Sequence, residues 1–208
     1  INPGGKAITL RGATDDDGLP TTILDGGGAH RVIECRSGET DSTVFENLVI
    51  QNGYTSYGNN GLSGGGGGME NRDDSNPMVV NCIFRDNTSS FGAGMYNKDD
   101  CSPTVIDCTF KNNHTFQGNG GGMYNSVNSS PTVTNCTFTD NSPSGMWNQQ
   151  GSNPTVSDCL FEENSSFYGG GMFNDQSSPI VSNCDFINNT AQAGGGMAND
   201  FGSNPTLT

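Results

Sequence analysis

Basic side chains are scarce in this chain. Eight Lys and Arg stand against 22 Asp and Glu, a formal net charge of −14. That balance argues against binding to nucleic acid and fits a soluble, cation-binding, extracellular surface. Long apolar runs are missing too. None approaches the roughly 20 residues that cross a bilayer, and no signal peptide is visible. Only 31% of the residues are hydrophobic. With this charge, such a composition ordinarily marks a disordered chain. The placement of the few apolar residues overturns that reading.

They fall in columns. Cys82, Cys108, Cys136, Cys159 and Cys184 are spaced 26, 28, 23 and 25 residues apart. Each follows a Val by three residues (Val79, Val105, Val133, Val156, Val181) and precedes a Phe by two (Phe84, Phe110, Phe138, Phe161, Phe186). Each is followed after five residues by Asn87, Asn113, Asn141, Asn164 or Asn189. Gly-Met pairs end at Met69, Met95, Met123, Met146, Met172 and Met197. A period near 25 with length variation confined to one place is the pattern of a solenoid.

The local geometry of one repeat can be read from its spacings. Cys and Phe, two apart, share a strand face. Val and Cys, three apart, cannot both point inward along one straight strand, so the chain must bend between them. The residue before each Cys is Asn81, Asp107, Asn135, Asp158 or Asn183, the non-glycine types that best tolerate a left-handed bend. The Asn column at 87, 113, 141, 164 and 189 marks a second bend, where stacked amides can bond from coil to coil. A third strand carries Met, and a second Asn lies two residues beyond it. A polar turn then reaches Pro77, Pro103, Pro131, Pro154, Pro179 and Pro205, proline being suited to a strand's first residue. Three short strands per turn predict an all-β, right-handed parallel β-helix. Seven to eight coils of roughly 25 residues would form a rod of roughly 35–40 Å.

Seven cysteines is an odd number. Parallel strands stack about 4.8 Å apart, wider than the ~3.8 Å Cβ separation of a disulfide. The five-membered column therefore predicts a ladder of buried free thiols, a poor arrangement for tetrahedral zinc. Cys35 and Cys101 read as stray thiols.

The chain reads as one β-helix domain over 1–208, with irregular coils in 1–68 and regular repeats in 69–208. Ala7–Arg11, Arg31–Cys35 and Val44–Gln51 read as early strands, with Phe45, Leu48, Ile50 and Gly53 in the later Val, Cys, Phe and Asn positions. Tyr54–Gly68 is a long Gly-rich loop. Lys6–Gly12 reads as a strand with no polar cap before it, and Asn204–Thr208 opens another repeat. The expectation is a segment of something longer, or a protomer whose open ends neighbours cover.

The five registered Phe-x-x-Asn copies, Phe84–Asn87 through Phe186–Asn189, resemble the repeats of polymorphic outer-membrane proteins, defined by FxxN and GGA[ILV] motifs. The second motif appears here only as Gly-Gly-Met or Ala-Gly-Met, with Ser144-Gly145-Met146 the most divergent copy. The resemblance covers about two thirds of the chain. It implies a secreted, often adhesive passenger, although no β-barrel translocator is present to support autotransport.

Candidate chemistry is sparse. Asp73-Asp74 and Asp99-Asp100 occupy equivalent turns on adjacent coils, and Asp15-Asp16-Asp17 forms a further run. Stacked carboxylates repel, and Ca²⁺ bound by Asp73, Asp74, Asp99, Asp100, Asp15 and Asp17 would relieve that. The spacing follows neither the EF-hand nor the nonapeptide Gly-Asp pattern, so a solvated turn with monovalent counterions is the competing reading. Between each Met and its Asn runs a column of Glu70, Tyr96, Tyr124, Trp147, Phe173 and Ala198. Tyr96, Tyr124, Trp147 and Phe173 would form an exposed stripe for a sugar or protein partner, or simply stabilise a sheet. Loop aromatics Tyr54, Tyr57, Phe91, Phe116, Phe167 and Tyr168 could pack over it.

A polysaccharide lyase or hydrolase is the enzymatic alternative, with Arg72 and Arg85 flanking Asp73-Asp74 as its one constellation. His30 and His114 lie in unrelated coils, and no nucleophile has a base. An ice-binding Thr-x-Thr array is present at Thr132–Thr134 but not on neighbouring coils. Glycosylation sequons stand at Asn87, Asn113, Asn128, Asn135, Asn164 and Asn188. Asn128 and Asn188 are the surface candidates, and the bend columns are expected to shield Asn87, Asn113, Asn135 and Asn164. The function expected is a non-catalytic, extracellular or cell-surface structural or adhesive solenoid that self-associates end to end. Glycans or host and cell-surface partners are the further ligands expected, and neither nucleic acid nor membrane insertion is expected. The alternative is a carbohydrate-binding or lyase-like protein acting on acidic glycans.

Overall fold

The structure is a computed structural model describing residues 1–56 and 64–208; Tyr57 lies outside the described residues. Among these residues there is no helix. The chain is a right-handed parallel β-helix of about seven turns, built from three long sheets of eight, seven and seven strands. A valine sheet stacks Thr9–Arg11, Val44–Glu46, Met78–Val80, Thr104–Ile106, Thr132–Thr134, Thr155–Ser157, Ile180–Ser182 and Thr206–Leu207. A phenylalanine sheet runs from Thr22–Asp25 to Asp185–Ile187, and a methionine sheet from Ile33–Cys35 to Met197–Asp200.

The columns stack in register: Val105 pairs with Val133, Phe110 with Phe138, Met95 with Met123. The early coil follows the same register, with Phe45 opposite Val79 and Ile50 opposite Phe84. Bends fall where expected. Asn81, Asp107, Asn135, Asp158 and Asn183 have φ of 46, 55, 53, 55 and 49°. At the second corner the left-handed residue is one earlier than the Asn column: Asp86, Asn112, Asp140, Glu163 and Asn188. This frees the ladder Asn to turn its side chain inward.

The core is one narrow stack. Phe84, Phe110, Phe138, Phe161 and Phe186 lie face to face at centroid spacings of 4.7–4.8 Å. Beside them the Asn ladder closes the corner. Asn113 Nδ2 donates to Asn141 Oδ1 at 3.0 Å and to Phe84 O at 2.9 Å, and Asn113 N–H donates to the same Asn141 oxygen. Each buried amide thus satisfies its own polar atoms and a backbone group of the corner, which explains why Asn stands there. The Asn after Met forms a second ladder, from Asn71 through Asn97, Asn125, Asn148 and Asn174 to Asn199, at 2.8–2.9 Å.

All seven cysteines are free. In the central column Cys108 N–H donates to Cys136 Sγ at 3.4 Å, while Cys108 Sγ lies 3.2 Å from Ile106 O. Burial pushes the Cys35 and Cys108 thiols well up, and lifts Cys101 to about 12. Cys101 is not a stray thiol but part of a column: Ser75 N–H donates to its sulfur, and its own N–H donates to Ser129 Oγ.

Two features went beyond the sequence reading. Thr22–Asp25 is a strand of the phenylalanine sheet. The loops that lead to Met also form two short flap sheets, Thr88–Phe91 with His114–Asn119 and Ser165–Tyr168 with Thr190–Ala193.

Candidate functional site

The aromatic column on the outer face of the methionine sheet stacks as expected. Tyr96 and Tyr124 lie parallel at 5.1 Å, and Trp147 meets Phe173 edge-on at 4.4 Å. It is not, however, an exposed stripe. Tyr96, Tyr124 and Phe173 are only 6%, 6% and 5% exposed. The flaps fold over them, Phe91 packing 6.3 and 6.2 Å from Tyr96 and Tyr124, and Tyr168 5.7 Å from Phe173. A Cβ on Gly65 would overlap the Tyr96 ring, so a glycine is required where the chain crosses it. Burial pushes both tyrosine hydroxyls up. Trp147 alone of the four is left partly exposed.

A single break in the flaps uncovers Trp147. Between Asn141 and Met146 the chain makes only the short turn Ser142–Gly145, in the coil with the 23-residue spacing. Its backbone is tied to both neighbours: Thr115 N–H donates to Ser142 O, and Ser144 N–H donates to Ser165 O. Ser142 also pairs with His114 as a parallel bridge, Ser165 N–H donates to Asn141 O, and Ser144 Oγ donates to Tyr168 O at 3.3 Å and Gly169 O at 2.7 Å, so the turn links the two flap sheets. Below lies a polar chain that crosses three coils. Tyr124 Oη donates to Gln149 Oε1 at 2.6 Å, and Gln149 Nε2 donates to Asp175 Oδ2 at 3.0 Å.

The column begins in charge rather than aromatics. Glu34 stacks on Glu70, and Arg31, 6% exposed, reaches both at 2.5 and 2.8 Å. The shared register of the two glutamates was the available signal, since stacked carboxylates require a cation.

The aspartate pairs sit in stacked turns, Asp74 N–H donating to Asp99 O at 3.3 Å. All four residues are left-handed, with φ of 55–63°, so the turn itself favours Asp. Arg72 and Lys98 approach the Asp99 carboxylate at 3.9 and 3.8 Å. Asp15 Oδ1 accepts from Asp17 and Leu19 N–H and holds its own loop. That loop packs against Asn81, at a different corner of the coil. Among the described residues no three His, Cys, Asp or Glu side chains converge in a metal-binding group.

Arg72 and Arg85 are not brought to one turn. Arg85 belongs to the phenylalanine sheet and donates to Gln51, whereas Arg72 leaves the methionine sheet toward Asp99. Among the sequons, Asn128 and Asn188 are exposed, and Asn87, Asn113 and Asn164 are buried in the ladder. Asn135, expected to be shielded, is exposed because its bend turns outward; its Nδ2 donates to Asp107.

A cavity of about 440 Å³ is lined by Val181, Cys184, Phe186, Met197 and Leu207.

Residues 112–208 match the family model of the right-handed beta helix region. No curated protein and no solved structure matches the chain.

Proposed function

We propose that this chain is a non-catalytic structural or adhesive β-solenoid of the cell surface or extracellular space, working by stacking one coil upon the next. The observation that carries this reading is the register of the inward columns, in which Phe stacks on Phe and Asn bonds Asn from coil to coil. Every inward column is completed by the following coil, so any coil carrying the same columns in register can extend the stack. An unpaired strand is a template for further pairing. A second copy presenting its first coil would add in a head-to-tail, non-closing arrangement.

The acidic surface and the registered FxxN copies support the resemblance to secreted polymorphic outer-membrane-type passengers. The buried thiols of Cys35, Cys101 and Cys108, pushed up by burial, are compatible with an oxidising location, because the thiolate is the reactive form. Calcium enters this reading as a counterion between the Asp73-Asp74 and Asp99-Asp100 turns rather than as an enclosed ion. Sedimentation of the purified chain over a hundredfold concentration range tests the stacking. The reading expects growth beyond monomer mass, suppressed by Leu207→Asp, a change at an exposed side chain. A monomer at all concentrations would overturn it.

A further inference from the structure

On the phenylalanine sheet one outward column runs in register through Asp25, Gln51, Arg85, Lys111, Thr139 and Glu162. Two of the chain's eight basic residues, Arg85 and Lys111, thus stand directly opposite one another. Like charges in that relation are destabilising. At Glu34 and Glu70 the chain resolves the same conflict by placing Arg31 against both. It does not do so here. Among the described residues Arg85 makes no ion pair, and Lys111 meets only Asp140 of the next coil, at 3.8 Å. The nearby Asp86 carboxylate is engaged by Asn112 Nδ2 at 2.6 Å.

Arg85 is nevertheless held in place. Its Nε and Nη2 both donate to Gln51 Oε1, at 2.9 and 2.6 Å, and Gln51 Nε2 donates to Asp25 Oδ2 at 2.6 Å. Asn52 Nδ2 and the Gly27 N–H fix the Asp25 carboxylate in turn. An arginine free in solvent must give up rotamer freedom when it binds, whereas this guanidinium is already oriented by a neutral partner that leaves its charge uncompensated. Its Nη1 has no partner among the described residues. Arg85 borders a cavity of about 410 Å³, lined with Asp86, Lys111, Asn112 and Asp140. Every one of these side chains is polar: two cations, two carboxylates and an amide.

We propose that this cavity binds a sugar residue bearing one carboxylate, the terminal acidic sugar of a glycan. The ligand carboxylate bridges Arg85 Nη1 and Lys111 Nζ and supplies the anion that their register lacks. The ring hydroxyls donate to Asp86 and Asp140 and accept from Asn112. Closely set donors and acceptors with no apolar side chain among them suit a polyhydroxylated ligand. The column also sets the number of charges. Asp25 lies two strand steps beyond Arg85, and Glu162 two steps beyond Lys111, about 10 Å in each direction. A polyuronate laid along the coils would bring its further carboxylates against them, so an isolated charge is selected. The site gives the adhesive reading a ligand and lies on the side of the coil, so it stands or falls independently of end-to-end stacking.

The test titrates four probes into the full chain: methyl glucuronide, methyl glucoside as its uncharged match, trigalacturonate and acetate. Nitrogen-resolved NMR follows the side-chain N–H signals of Arg85, Gln51 and Asn112. The expected result is saturable binding of the glucuronide at roughly millimolar concentration, with shifts at Arg85 and Asn112. The glucoside and acetate should bind about tenfold more weakly or not at all, and trigalacturonate should gain nothing over the monosaccharide. Lys111→Gln, a change at an exposed side chain, and Arg85→Gln should each weaken the glucuronide about fivefold or more. Gln51→Met, which frees the guanidinium without removing its charge, should weaken it by a smaller factor. The proposal is overturned if acetate binds as tightly as the glucuronide, which would mark an adventitious ion only. It is equally overturned if the glucoside binds as well, if trigalacturonate binds more tightly, if Lys111→Gln and Arg85→Gln leave the affinity unchanged, or if no probe moves these signals.

Discussion

The first coils and the later ones solve one problem differently. From residue 69 onward, the Val, Cys, Phe, Asn and Met columns each repeat one residue type, and identical neighbours satisfy one another. Asn bonds Asn and Phe stacks on Phe. Before residue 69 the same positions hold unlike residues, with Phe45 opposite Val79 and Gly53 donating its N–H to Asn87 Oδ1. There the outer face of the methionine sheet is closed by Arg31 between Glu34 and Glu70. A ladder of identical groups extends to any length. An ion-pair cluster is complete in itself and can close only one place.

The comparison can be broken first at that cluster. Arg31→Ala leaves Glu70 buried without its cation and should cost about 3–5 kcal/mol, read by urea denaturation. Adding Glu70→Gln should recover a large part of the loss. In the regular coils, Asn141→Ala removes the acceptor of Asn113 and the donor to Phe110 O. About 2–3 kcal/mol is expected, and hydrogen exchange should show the opening centred on the coils of Phe110 and Phe161. A defect confined to residue 141 would contradict a cooperative ladder.

Smaller effects sharpen the contrast. Asp158→Ala, at φ 55°, should cost about 1–2 kcal/mol, while Asp158→Gly should stay within about 0.5 kcal/mol of the parent. Glu39 supplies a pH signature of the early coils. Burial disfavours its charge, but the N–H groups of Ser37 and Gly5 and the hydroxyl of Ser75 together hold its carboxyl below the ordinary 4.5. A depressed folded value means stability that is present above pH 4.5 and lost as pH falls through the lower folded value. Glu39→Gln should remove that part of the acid sensitivity, measured as the denaturation midpoint from pH 6 to pH 3.

The sequence made the columns legible because identical residues recurred at one period, and the strands, bends, free thiols and first Asn ladder all followed from it. The aromatic stripe was misjudged for a physical reason. A period identifies an outward position but not what crosses above it, and the covering flaps lie in loops of unequal length. The same inequality hid the Arg31 cluster, whose register spans an insertion. The turn at Ser142–Gly145 was visible only as a shorter spacing. Its meaning depended on flap strands on both sides that no periodicity revealed.

The central claim is that this chain functions through coil-on-coil stacking, and electron microscopy of the purified protein tests it most directly, with and without a calcium chelator. The account predicts rods extended end to end in multiples of a seven-coil unit of roughly 35 Å, shortened by Leu207→Asp. Loss of the rods on chelation would assign calcium to the aspartate turns. Uniform single-unit rods under both conditions would contradict the claim.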